Sequence, residues 1–71
     1  MATKVLSEVA GTVWQVLASA GSRVEEGEEL MLIESMKMEI PVIAPRAGTL
    51  ISILVTKGDP VHEGQTVALI E

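Results

Sequence analysis

Displacing the sequence by 37 positions lays Gly11–Glu34 onto Gly48–Glu71, and this internal repeat limits the possible folds more than any other feature. Gly11, Thr12, Leu17, Gly21, Val24, Glu26, Gly27, Leu32, Ile33 and Glu34 recur unchanged as Gly48, Thr49, Leu54, Gly58, Val61, Glu63, Gly64, Leu69, Ile70 and Glu71. Upstream, Val5 and Ala10 fall on Val42 and Ala47, so the repeat covers nearly the whole chain. Two copies of one unit predict two half-domains related by a pseudo-twofold axis. Neither copy is long enough to bury both faces of its own sheet, so the halves are expected to pack on each other as layers around one shared core.

Each copy reads as short strands. Apolar runs alternate with glycine-bearing turns at the spacing of an all-β sandwich or barrel, and no helical stripe competes with them. Strands are expected near Thr3–Leu6, Gly11–Ala18, Leu30–Glu34, Met38–Ile43, Gly48–Val55 and Thr66–Ile70, with shorter ones centred on Val24 and Val61. In the two long strands, Val13, Val16, Ala18 and Leu50, Ile53, Val55 break strict alternation at the same point, which predicts a bulge in each. Val24 with Val61 and Leu32 with Leu69 are expected to be buried pairs. The fold class is thus a flattened antiparallel β-sandwich, all-β, formed by residues 1–71 as one domain.

Composition narrows the function. A chain of 71 residues lies near the lower limit for a self-sufficient core and cannot house a large active site. It has no cysteine, which excludes disulfides and thiolate metal sites. Trp14 is the single aromatic residue and reads as a packing residue and not a ligand platform, which leaves the core to Val, Leu, Ile, Ala and Met. Ten acidic residues against five basic ones give a net charge of −5, which disfavours nucleic acid and anionic membrane surfaces as partners. The apolar runs Ile40–Ala44 and Ile53–Val55 are too short to cross a bilayer, and Met1–Ala10 does not read as a signal peptide. The expected location is the cytoplasm. His62 is the sole histidine, in a predicted turn, and reads as a solvated side chain, so no metal site is expected. Glu25, Glu26, Glu28 and Glu29 read as a solvated acidic surface.

Ser35-Met36-Lys37, between the two copies, breaks the symmetry. The flanking strands are so close in sequence that only a tight hairpin joins them, yet the turn has no Gly, Asn, Asp or Pro. Met36 or Lys37 is therefore expected in an unfavourable backbone region, and strain of that kind marks candidate function.

The run Glu34-Ser35-Met36-Lys37-Met38-Glu39, followed by Ile40-Pro41-Val42, resembles the biotinyl-lysine motif of the biotin/lipoyl-attachment domain family, and the glycine-valine repeat on either side is similar to the same family. The resemblance implies a barrel-sandwich hybrid of two antiparallel sheets, with biotin covalently attached to Lys37 by a biotin protein ligase that acylates the amine from biotinyl adenylate. A lysine amine in water is almost wholly protonated at neutral pH, so the ligase must supply a base. The resemblance further implies a non-catalytic, monomeric carrier. Its swinging arm would move carboxyl groups between biotin carboxylase and carboxyltransferase sites, where tethering raises effective concentration. Met36 and Met38 would form an apolar recognition flank, and Glu34 and Glu39 would contribute polar contacts to the ligase or other partners.

Ser7-Glu8-Val9-Ala10-Gly11 departs from the family's Ala-Pro-x-Pro-Gly, whereas Ala44-Pro45-Arg46-Ala47-Gly48 keeps more of it, which puts the rigidity of the first loop in question. No thumb-like insertion interrupts the first half. Two rivals share the architecture. A lipoyl carrier of a 2-oxoacid dehydrogenase system would use a lysine at the same hairpin, typically flanked by Asp and Ala or Val, so Met36 and Met38 favour biotin. An unmodified barrel-sandwich adaptor would carry a helical hairpin between the halves, where this chain has three residues. An independent enzyme lacks a nucleophile-base constellation here.

Overall fold

The computed structural model describes residues 2–71; Met1, part of the stretch read above for a leader, lies outside them. The regular elements among the described residues are strands: β1 Thr3–Leu6, β2 Gly11–Val16, β3 Arg23–Val24, β4 Glu29–Ser35, β5 Met38–Ile43, β6 Gly48–Ile53, β7 Pro60–Val61 and β8 Thr66–Ile70. They form two four-stranded antiparallel sheets, ordered β1-β8-β6-β3 and β5-β4-β2-β7. No helix of the structure is long and apolar enough to cross a membrane. The 37-residue displacement turns β1, β2, β3 and β4 into β5, β6, β7 and β8, and it converts one sheet order into the other. The pseudo-twofold is therefore real at the level of pairing.

The expected layering is corrected in one respect. The two layers are not the two halves, because each sheet holds two strands from each copy. Strands β2 and β4 pair within the first copy and β6 and β8 within the second, while β1·β8, β2·β7, β3·β6 and β4·β5 all pair across copies. A short unit leaves β1 and β3 with no partner of their own, and the other copy's strands satisfy their backbone groups. Turn hydrogen bonds repeat the exchange: Gly21 N–H donates to Leu50 O at 2.6 Å, and Gly58 N–H to Val13 O at 2.8 Å.

The core consists of twofold-related aliphatic pairs, including Val5 with Val42, Val13 with Leu50, Val24 with Val61, Leu30 with Val67 and Ile33 with Ile70. Val24 and Val61 are buried as expected. Leu32 and Leu69 are only half-buried, which corrects the expectation for that pair. The run Leu30-Met31-Leu32-Ile33 is apolar on both phases of the strand period, so its alternation alone does not choose a face. A register shift between Glu29 and Met31 turns Leu30, Met31 and Ile33 into the core and Leu32 to the outer side.

The predicted bulges are present, between Val13 and Gln15 in β2 and between Leu50 and Ser52 in β6. They displace Trp14 and Ile51, which are exposed, and the core is built from Val, Leu, Ile, Ala and Met as expected. The bulged strands also stop earlier than expected, at Val16 and Ile53. The first loop is secured without proline: Ser7 is buried, its hydroxyl donates to Val9 O at 2.7 Å, and its N–H donates to Gln65 O.

Candidate functional site

Strands β4 and β5 pair in register from Leu32↔Pro41 through Ile33↔Ile40 and Glu34↔Glu39 to Ser35↔Met38. Ser35 belongs to the strand, so the loop is two residues, Met36 and Lys37, one shorter than the segment singled out in the sequence. A two-residue hairpin loop matches the right-handed strand twist when both of its residues take positive φ. Met36 has φ 55° and Lys37 φ 65°. The expected strain thus falls on both residues. An L-residue pays a steric cost in this left-handed region, and Asn or Gly would relieve it.

The turn fixes what is presented. Lys37 is exposed, and the described residues place no carboxylate in an ion pair with it; the salt bridge among them joins Arg23 and Glu25, at 3.7 Å. Met36 and Met38 are 92% and 63% exposed, an unusual state for large apolar side chains. Glu34 and Glu39 lie directly opposite each other, both exposed, two like charges on neighbouring strands just below the tip. The structure therefore brings together all five residues singled out in the sequence: one free primary amine, two thioethers and a pair of carboxylates on a single hairpin.

This is a presented site, not an enclosed one. A shallow cleft between β2 and β6 is lined by Gln15, Val16, Ile53, Val55, Thr56 and Lys57, and a second lies beside Lys4, Leu6, Glu8, Ile43 and Pro45; neither is lined by Glu34, Met36, Lys37, Met38 or Glu39. Among the described residues, none forms a hydrogen bond or ion pair with the Lys37 amine.

Residues 1–70 match the biotin/lipoyl family model, described as a biotin-requiring enzyme family. The chain belongs to this family. Among curated relatives, the biotin/lipoyl attachment protein of Bacillus subtilis is 49% identical over 39 residues, 55% of this chain and 53% of that protein. A biotinylated protein TB7.3 homolog of Mycobacterium leprae is 48% identical over 44 residues, 62% of each chain. The matched segments thus span a little over half of these relatives. In three dimensions the Kluyveromyces lactis urea carboxylase superposes with a TM-score of 0.95 at 38% identity, covering all of this chain and 6% of that one. The two-sheet all-β fold is that of biotin carboxyl carrier domains of carboxylases, and covalently bound biotin is the family's cofactor.

Proposed function

We propose that residues 1–71 are a biotin carboxyl carrier domain, that Lys37 is its attachment point, and that the domain performs no catalysis itself. The observation that carries this reading is the left-handed Met36-Lys37 turn, which holds a primary amine at the exposed tip of an otherwise rigid β scaffold. The hairpin fits the group: biotin is joined through an amide to a lysine Nζ, and Lys37 offers that nitrogen with no ion-pair partner among the described residues. Biotin attached there supplies the ureido group that takes up and hands on a carboxyl group.

The chain's own residues do the rest. Strands β4 and β5 hold the arm's base in one place, so the arm sweeps a defined volume between two partner sites. Met36 and Met38 offer deformable apolar area to a biotin protein ligase, while Glu34 and Glu39 offer carboxylates to a basic patch on the ligase or on the carboxylase. The partners proposed are that ligase, a biotin carboxylase and a carboxyltransferase. The domain acts as a monomeric module in the cytoplasm.

Intact mass after co-expression with a biotin ligase tests the assignment. The parent chain should gain one biotinyl group, Lys37→Ala none, and Lys4→Ala and Lys57→Ala one each. Biotin on the Lys37 variant would refute it. A parallel expression with lipoate ligase reads out the lipoyl rival directly.

A further inference from the structure

The sulfur atoms that solvent reaches in the described residues are those beside Lys37. The chain has no cysteine. Met31, on the core side of β4, is 0% exposed, whereas Met36 and Met38 are 92% and 63% exposed. Peroxides oxidise thioethers under mild conditions, at rates that follow access. The tip cannot withdraw its sulfurs into the fold, because the Ser35↔Met38 pair closes the strands directly beneath a two-residue turn. Among the described residues, an oxidant therefore meets reactive sulfur at the attachment hairpin.

We infer that Met36 and Met38 form an oxidation site, with a hydroperoxide as oxidant, that switches off modification of Lys37; the inference rests on the attachment reading proposed above. In each event one oxygen atom passes from the peroxide to the thioether. The O–O bond breaks and an S–O bond forms. Sulfur loses two electrons, and the peroxide leaves as water or, if organic, as an alcohol, with no net proton gained or lost. The sulfoxide is a polar acceptor where an adaptable apolar group stood. A ligase surface built to cover two thioethers must then desolvate two S–O dipoles. Burying polar groups without partners is costly enough to slow the reaction by on the order of ten- to a hundredfold. Folding is untouched, since neither sulfur belongs to the core. A thiol-driven pair of methionine sulfoxide reductases, one for each epimer, restores the thioethers and releases water.

The experiment uses the unmodified chain, dilute hydrogen peroxide, and removal of the peroxide before ligase, biotin and ATP are added. Peptide mapping should place oxygen on Met36 and Met38 while Met31 stays reduced. Ligase kcat/KM should fall on the order of ten- to a hundredfold with the melting temperature unchanged, and treatment with both reductases should restore it. Labelling of the doubly oxidised chain at the parent rate would overturn the proposal, as would oxidation of Met31 as fast as Met36. Failure of the reduced chain to take biotin on Lys37 would instead sink the attachment reading, a separate outcome visible in the untreated control.

Discussion

Met36 and Lys37 are the non-glycine residues that the structure places at positive φ, and they are adjacent. Left-handed backbone costs an ordinary L-residue roughly 1–2 kcal/mol, so the hairpin holds its amine against an opposing local preference. Met36→Asn with Lys37→Gly supplies the pair that such a turn favours. Chemical denaturation should show that variant more stable than the parent by about 1 kcal/mol, although it has lost the proposed acceptor. An unchanged or lower midpoint would mean that the turn is not strained. Lys37→Ala, by contrast, removes an exposed side chain and leaves the φ demand in place, so stability should stay within about 0.5 kcal/mol of the parent. At this scale the turn was readable in the sequence: the missing Gly, Asn, Asp and Pro announced its positive φ, and Met-Lys-Met with the flanking acids marked the candidate attachment point. Whether the turn held two residues or three depended on the closing pair, Ser35 with Met38, which no local pattern specifies.

Among the elements, β4 carries the heaviest demands, since it pairs with β2 on one side and β5 on the other and aims the hairpin. Its core face is set by Ile33, whose Cγ2 would lie 2.9 Å from a Cβ built on Gly11; the twofold mate Ile70 would lie 2.7 Å from a Cβ on Gly48. Both contacts are far inside ordinary carbon separation, and the carbonyl oxygen of Glu34 or Glu71 crowds the same position. The repeated glycines are therefore places where two strands approach too closely for a side chain. Gly11→Ala and Gly48→Ala should each destabilise the domain by about 1–3 kcal/mol, read as a lower denaturation midpoint. Ile33→Ala and Ile70→Ala should each cost about 2–5 kcal/mol, while the half-buried Leu32 and Leu69 should lose clearly less on the same truncation. Equal losses at Leu32 and Ile33 would contradict the assigned face. The repeat marked all of these positions, but identity between copies did not distinguish a residue kept for the core from one kept on the outer side. The bulges were easier to foresee, because the alternation of apolar residues slips at the same place in both copies.

For the whole molecule, the decisive fact is that four of the six strand pairings join one copy of the repeat to the other. Two similar units suggest two small bodies pressed together, and sequence periodicity could not reveal that the units trade strands, because partner choice depends on which backbone groups a unit cannot satisfy alone. The exchange has a measurable consequence. Separated after Lys37, the first fragment keeps β2 with β4 but leaves β1 and β3 without their partners β8 and β6; the second keeps β6 with β8 but leaves β5 and β7 unpaired. A lone two-stranded hairpin is marginal in water, so each fragment by itself should be unfolded by circular dichroism and amide exchange. Mixed in equal amounts, the fragments should recover the two-sheet fold, because every cross-copy pairing and the common core become available together. Since the break falls at the hairpin tip, the recovered complex would keep the β4–β5 ladder while losing the closed turn, and its labelling by the ligase should be much weaker than that of the intact chain. The intact domain should melt in a single cooperative transition by every probe. Independent folding of either fragment, or two separate melting steps in the intact chain, would show that the copies are autonomous and that the exchanged strands do not hold the molecule together.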